Sequence, residues 1–373
     1  MTTRALLEGW AGLKKAGEEF IIATVVDVRG SSYRRPGARM LVSRERWISG
    51  SVSGGCLEGD IIQKGFWRTS QGPIVMTYDS RTDAEAESDD ELRSGLGLGC
   101  NGVIDVLLER AGESAIDPLA VLEACVRTQT CAVVATVIAS DAEQVPLGTR
   151  LAVRGDELFG TIGDDLMTTA IVASAKNALR ARTTSVATYG GVRVLLEVFV
   201  PPPRLFILGG GHDAAPLATM ARAIGWQVFV CLPHARPAAH ERFAQADGFV
   251  FGPAADVVRA IDESDRAAAV IMHHNYAQDR DALGALAKSN ALYLGVLGPR
   301  HRTTRMLGEL AMKLDPRMHA PVGLALGAET PEEIAVAIVA EVQAVLAEAP
   351  ASRLRDRVGP IHSSIELALG ASR

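Results

Sequence analysis

The sequence has no CxxC pair, no apolar run approaching the length of a membrane span and no surplus of basic charge. Each absence removes a class of protein. The five cysteines, at positions 56, 100, 125, 131 and 231, are odd in number and irregularly spaced. That leaves no zinc-ribbon pattern and makes reduced, cytosolic thiols the default. Without about 18 consecutive apolar residues no membrane span is expected. The start, Met1 to Glu8, soon carries charge and lacks an apolar core, so no signal peptide is expected. A net charge of −6 offers none of the basic excess that nucleic-acid binding needs. What remains is an ordinary soluble composition, 48% hydrophobic and 22% charged over 373 residues. A chain of that length holds two or three domains, each able to bury its own core. A cytoplasmic location is expected.

The most informative stretch is Ser51-Val52-Ser53-Gly54-Gly55-Cys56-Leu57-Glu58-Gly59-Asp60-Ile61. Gly54 and Gly55 deliver Cys56 to the head of a helix expected from Leu57 to about Trp67. Glycines at such a turn permit positive φ or close approach to a ligand. A thiol at a helix start lies among unpaired N–H groups, which favour the thiolate. The same amides can hold an anion such as phosphate. Cys56 is therefore a candidate soft-metal ligand, sulfur acceptor or nucleophile. The alternative is a tight strand-to-helix turn followed by a small buried residue, a common fate of cysteine.

The middle of the chain repeats its beginning. Ala135-Thr136-Val137 echoes Ala23-Thr24-Val25, and Gly148 to Val153 echoes Gly37 to Val42. Leu158 to Ile162 echoes Ile48 to Val52, and Gly190 to Glu197 echoes Gly102 to Glu109. The shortening offset is what loop deletions in the second copy produce. Two related β-rich halves, about 20–110 and 130–200, are expected within one N-terminal α+β domain, 1–200. In the repeat register Gly54-Gly55-Cys56 falls opposite Asp164-Asp165-Leu166. The scaffold therefore does not require those residues, which favours a functional reading of Cys56. Cys100 lies in a second glycine-rich turn, Gly95 to Gly102, and is equally a candidate or a structural residue. Cys125 and Cys131 flank the start of a strand and read as core. The acidic segment Asp79 to Glu91 reads as a solvated loop.

Pro201-Pro202-Pro203 is a stiff breaker and a domain boundary. Beyond it the strand Arg204 to Leu208 enters Gly209-Gly210-Gly211-His212-Asp213-Ala214, then a helix, Ala215 to Ile224, and a strand, Gln227 to Leu232. This G-x-G-x-x-A turn has the strand–turn–helix context of a dinucleotide fingerprint. The usual acidic ribose ligand is missing, since Leu232 stands at its place. Strands and helices continue to alternate through Ala291–Val296. They predict an α/β fold for residues 204–348, with a Rossmann-like, doubly wound parallel sheet and a tail over 349–373. Strand ends place Gly211, His212, His273, His274, Asn275, Gly298, Arg300 and Arg302 on the ligand-binding edge. Arg300, His301, Arg302 and Arg305 read either as phosphate ligands or as a solvated face. Thr330-Pro331-Glu332-Glu333 is a capping box that starts a long apolar helix.

Three signatures together, Ser51 to Gly59, Gly97-Leu98-Gly99-Cys100-Asn101-Gly102 and Gly209-Gly210-Gly211-His212, resemble the XdhC/CoxI family of xanthine dehydrogenase accessory factors. Val296 to Arg300, His319 to Gly323 and Thr330 to Glu333 look like that family's later motifs. The resemblance spans about residues 15–345. It implies binding of molybdenum cofactor, help in exchanging an oxo ligand of the metal for sulfido, and delivery to a molybdenum hydroxylase. It also implies a cysteine desulfurase as partner, a homodimer and no turnover of its own. Cofactor-binding residues are expected at Gly54, Gly55, Cys56, Glu58, Gly99, Cys100, Gly209, Gly211 and His212, with Cys56 on the metal. Two departures stand out: Leu232-Pro233-His234 where the family often has Asp-Pro-Arg, and His273 to Tyr276 where it often has Thr-His-Asp-His. The second functional reading is an NAD(P)-dependent oxidoreductase using the Gly209 turn; a third is a purely structural partner of the hydroxylase.

Overall fold

The computed structural model describes residues 2–30, 33–44, 46–79, 93–95, 102–235 and 237–358. The chain forms two compact units, Met1–Pro202 and Pro203–Arg373. The acidic segment after Asp79, the glycine-rich turn with Gly99 and Cys100, and the tail from residue 359 lie outside the described residues.

The N-terminal unit is built twice. Its first copy runs α1 (Thr3–Ala16), β1 (Phe20–Gly30), β2 (Arg39–Ser43), β3 (Arg46–Gly50), α2 (Glu58–Arg68), β4 (Ile74–Asp79), β5 (Arg93–Gly95) and β6 (Gly102–Arg110). The second runs α3 (Pro118–Thr128), β7 (Ala132–Ser140), β8 (Arg150–Arg154), β9 (Glu157–Phe159), α4 (Asp165–Ala181), β10 (Ser185–Tyr189) and β11 (Val192–Phe199). One sheet has the strand order β3-β2-β1-β6-β4-β5 and the other β9-β8-β7-β11-β10. The two orders match strand for strand, β5 being the addition to the first.

Both faces of these sheets are covered, so their central strands read as unbroken apolar runs. Along β1, Ile21, Ala23 and Val25 pack with Met40, Val42 and Ile61 of α2. Phe20 and Ile22 point the other way and join Leu41 to Ala132, Val134 and Ala152 of the second copy. In the second sheet, Val133 and Ala135 pack beneath Ile171 and Ala175 of α4. The sheets therefore meet face to face, with α2 outside one and α4 outside the other. Cys125 is buried in the shared core, whereas Cys131 is half-buried.

Two buried ion pairs cross that interface reciprocally. Arg39 of β2 reaches Glu197 of β11 through two parallel hydrogen bonds of 2.6 and 2.5 Å. Arg150 of β8 reaches Glu109 of β6 at 2.8 and 2.5 Å. The two arginines, and the two glutamates, occupy equivalent places in the repeat, so each copy supplies one cation and one anion to the other. All four side chains are buried. Burial opposes the charge on Arg39, but Glu197 outweighs it and raises the guanidinium above its ordinary value. The planar guanidinium matches a carboxylate edge to edge, which a lysine ammonium does not.

The C-terminal unit is one parallel sheet. Its elements are β12 (Arg204–Leu208), α5 (Ala214–Ala223), β13 (Gln227–Leu232), α6 (Pro237–Arg242), β14 (Gly248–Phe251) and α7 (Ala254–Asp262), followed by β15 (Ala267–Ile271), α8 (Tyr276–Leu286), β16 (Tyr293–Val296), α9 (Arg300–Glu309), β17 (Met318–His319) and α10 (Pro331–Leu346). The strand order is β14-β13-β12-β15-β16-β17. Helices α5 and α10 cover one face through Leu217 and Ile338. Helices α7, α8 and α9 cover the other through Val257, Leu283 and Met306. This is the doubly wound, Rossmann-like arrangement. Thr330 Oγ1 accepts the Glu333 N–H at 3.3 Å while Glu333 Oε2 accepts the Thr330 N–H at 3.1 Å, closing the capping box at the start of α10. Elements α6, β14 and α7 fill a stretch that the sequence reading left unassigned; the six-residue α6 and four-residue β14 are too short for a periodic signal.

The crossed pairs generate a stability prediction. Removing one partner leaves a buried charge uncompensated, at a cost of about 3–5 kcal/mol. Glu197→Ala and Glu109→Ala should each lower the unfolding free energy of the N-terminal unit, measured by denaturant titration, by that amount. Losses under 1 kcal/mol in both would mean that the pairs do not hold the halves together.

Candidate functional site

Strand β3 ends at Gly50 and the chain enters the loop 51–57 before α2. Gly55 adopts φ +118°, which side-chain-bearing residues avoid. A Cβ placed on Gly54 or Gly55 would meet no atom within 4 Å. These glycines therefore leave open space above the loop, and the turn needs the backbone freedom of Gly55. Cys56 is exposed, while the flanking Leu57 is buried and anchors the loop to the core. The alternative of a small buried cysteine thus does not apply.

The loop is held by its own side chains. Ser53 Oγ accepts the N–H groups of Gly55, Cys56 and Leu57 at 3.1, 3.0 and 3.1 Å. Its hydroxyl proton goes to Glu58 Oε2. Glu58 Oε1 accepts from Ser51 Oγ at 2.9 Å, the Val52 N–H at 3.2 Å and the Ser53 N–H at 2.9 Å. Burial would raise the Glu58 carboxyl, but the hydrogen bonds from Ser53 and neighbouring amides outweigh it and hold it below its ordinary value. This arrangement corrects the expectation that amides beside Cys56 receive an anion: a serine hydroxyl already occupies them. The second copy performs the same latch more simply, with Thr168 Oγ1 accepting the Ile162 N–H at 3.1 Å.

A cavity of about 950 Å³ lies against this loop. Tyr33, Trp47, Cys56, Glu58, Ile62 and Tyr78 are among its walls. The structure thus brings Gly54, Gly55, Cys56 and Glu58 to one site. The aromatic walls Tyr33, Trp47 and Tyr78 escaped the sequence reading, because each sits in a different strand or turn. Trp47 Nε1 donates to Gly50 O at 2.9 Å, which fixes the ring beside the loop. Tyr78 donates to Asp60 at 2.8 Å, and Asp60 is also paired with Arg68 and Lys64.

The second group of expected residues lies in the C-terminal unit, and its surroundings differ. Gly209 takes φ +139°, and a Cβ there would collide with Met272 O, so this turn does require glycine. Asp213 stands at the start of α5 with its carboxylate beside Gly211, and accepts a hydrogen bond from His274 at 2.6 Å. Arg242 spans the turn, bonding Gly210 O and lying 3.2 Å from His212 Nε2. His273 pairs with buried Asp279 at 2.9 Å, and Asp279 in turn pairs with Arg302 at 2.7 Å. Burial would raise Asp279, but His273 and Arg302 hold its carboxyl below the ordinary range. Arg305 is engaged by Glu309 at 2.9 Å. Of the basic run, Arg302 and Arg305 are therefore committed to intramolecular pairs.

Comparison with known proteins places these features in a family. The model of the XdhC Rossmann domain matches residues 205–342, and that of the XdhC and CoxI family matches 13–79 and 125–190. The chain belongs to the XdhC and CoxI family. It is 31% identical over 334 residues to a probable xanthine dehydrogenase subunit of Bacillus subtilis, covering 87% of this chain and 92% of the relative. It is 24% identical over 342 residues to the molybdenum cofactor insertion chaperone PaoD of Escherichia coli, covering 88% and 84%. A crystal structure of a Bacillus halodurans xanthine dehydrogenase superposes with a TM-score of 0.72 at 28% identity, over 95% of this chain and 98% of that one. The two XdhC matches in the N-terminal unit fall one on each copy of the repeat. No described helix is long and apolar enough to cross a membrane.

The Glu58 latch sets a pH dependence. Its folded carboxyl titrates below the ordinary 4.5, so its contribution is present above 4.5 and is lost as pH falls through the folded value. In wild type the amide resonances of Gly55, Cys56 and Leu57 should shift together over that acidic window. Glu58→Gln presents an N–H₂ where a second acceptor is needed, a mismatch worth about 1–3 kcal/mol. In that variant the three resonances should already be displaced at pH 7 and should not titrate. Wild-type-like resonances at pH 7 would show that the carboxylate does not order the loop.

Proposed function

We propose that the N-terminal unit carries molybdenum cofactor for a xanthine dehydrogenase-type hydroxylase, with Cys56 as its ligand to the metal. The observation that supports this reading is the exposed Cys56 thiol in the wall of the 950 Å³ cavity, on a loop held by Ser53 and Glu58. Molybdenum accepts soft thiolate donors. Among the described residues no group of three or more His, Cys, Asp or Glu side chains is arranged around a metal position. A single thiol suits cargo that brings its own ligands and leaves again, rather than a resident metal. The aromatic and aliphatic walls offer a flat ring system stacking surfaces.

The relative named as a molybdenum cofactor insertion chaperone supports the maturation role. Sulfuration extends it. Cys56 Sγ would attack the outer sulfur of a persulfide on a cysteine desulfurase, whose own thiolate departs, and a persulfide remains on Cys56. The C-terminal turn supports an NAD(P)-dependent oxidoreductase less well. Leu232 offers no acceptor to a ribose hydroxyl, and the Asp213 carboxylate lies beside Gly211, close to where a pyrophosphate would approach.

Anaerobic incubation with molybdenum cofactor, gel filtration and metal analysis test the proposal. Wild type should retain close to one molybdenum per chain and Cys56→Ala at least tenfold less, with unchanged circular dichroism. Equal retention by both would remove Cys56 from the metal. Saturable binding of NAD by calorimetry, with no retained molybdenum, would favour the oxidoreductase.

A further inference from the structure

The repeat provides an internal reference for the strand that leads into the Cys56 loop. In the second copy, β8 and β9 pair without interruption, Val153 opposite Leu158 and Arg154 opposite Glu157. The first copy has one residue more between the equivalent positions, Val42 and Ile48. There Leu41 stands opposite Ser49 and Val42 opposite Trp47, so Ile48 is the extra residue of a β-bulge. In an unbulged ladder Trp47 would stand opposite Ser43, as its counterpart Glu157 stands opposite Arg154. An advance of one position moves a side chain to the other face of a sheet. Trp47 thereby comes opposite Val42, which packs with Leu57 and Ile61 on the α2 side. Ile48 packs instead into the core shared by the two sheets.

The bulge leaves an indole that is both exposed and fixed. Trp47 lines the large cavity and is 46% exposed. Its Nε1–H bond to Gly50 O, 2.9 Å long, holds the ring in place. The acceptor is itself fixed, because Gly50 lies with φ +84° directly against the backbone of Arg39. The other two aromatic walls are already engaged. Tyr78 is buried with its hydroxyl on Asp60, and the Arg34 guanidinium lies over the Tyr33 ring, 5.1 Å from its centroid. Trp47 is thus the half-exposed, tethered ring of this cavity. The second copy has Glu157 for Trp47 and Leu166 for Cys56, and Glu157 pairs with Arg154 at 2.8 Å. Bulge, indole and thiol therefore occur together, in one copy.

We infer that Trp47 is the platform on which the planar heteroaromatic rings of the cargo stack, and that it sets their position relative to Cys56. The inference rests on the cofactor-carrier reading and divides the work of that site between two contacts. The thiol holds the metal end and the indole holds the fused rings. Aromatic rings prefer offset stacking, in which dispersion and complementary quadrupoles add to the area buried. Nitrogen heterocycles such as nucleobases stack on aromatic side chains without sequence-specific hydrogen bonds. A ring already tethered loses little rotamer freedom when a ligand settles on it.

Two measurements on the full chain test it, with circular dichroism of every variant as the folding control. In the first, molybdenum retention after anaerobic incubation with the cofactor should fall about tenfold in Trp47→Leu and stay within about threefold of wild type in Trp47→Phe, which keeps an aromatic face. In the second, the metal-free probe pterin-6-carboxylate is titrated and its own fluorescence followed. Wild type and Cys56→Ala should quench it alike, because the ring contact does not need the thiol, and Trp47→Leu should not. Wild-type retention by Trp47→Leu, or equal losses in the Leu and Phe variants, would overturn the platform. So would a probe whose emission wild type leaves unchanged. If Cys56→Ala still loses molybdenum in those cases, the carrier reading stands without it. A wild type that retains no molybdenum but quenches the probe through Trp47 would sink the carrier reading and keep the platform.

Discussion

The reciprocal pairing of Arg39 with Glu197 and of Arg150 with Glu109 is the constraint on which the N-terminal unit depends. Taking four charges out of water costs several kcal/mol each, and only bidentate geometry recovers it. That geometry exists in one arrangement of the two halves, with β2 of one copy opposite β11 of the other and β8 opposite β6. Hydrophobic packing alone tolerates sliding of one sheet over another. Two oriented ion pairs do not. They therefore fix the register in which the halves meet, and with it the position of the loop that leaves β3.

That loop shows how duplicated architecture comes to differ between its two copies. Both copies turn from a short strand into a helix, and both latch the turn with a side chain from the helix's first turn. In the second copy Thr168 suffices. In the first, Glu58 and Ser53 form a larger network that uses five amides and two hydroxyls, and the outcome is an exposed thiol on a latched loop. The thiol stays exposed while the backbone beneath it is hydrogen-bonded. The same hydroxyl that orders the turn occupies the amides that a free anion would seek.

The C-terminal unit follows ordinary α/β logic with an altered switch point. Gly209 permits the close crossing of the turn with Met272, as the strand–turn–helix pattern demands. Yet the space above the turn is shared by Asp213, His274, Arg242 and His212, paired among themselves. A glycine fingerprint signals backbone geometry; what occupies the crevice is decided by side chains from other loops.

The sequence by itself determined the duplicated β-rich halves, the triple-proline boundary, the parallel sheet with its glycine turn, and the prominence of Cys56. All of these are local or periodic signals, carried by turn residues, caps and runs of apolar residues a few positions apart. Only the tertiary structure decided that Arg39 pairs with a residue 158 positions away, that Tyr33, Trp47 and Tyr78 surround Cys56, and that Ser53 fills the turn's amides. The repeat alignment placed the two arginines and the two glutamates in register without revealing that each pairs with the other copy. Composition and spacing hold no record of which copy faces which. That is settled by packing the two inner faces against each other and by matching four buried charges across them.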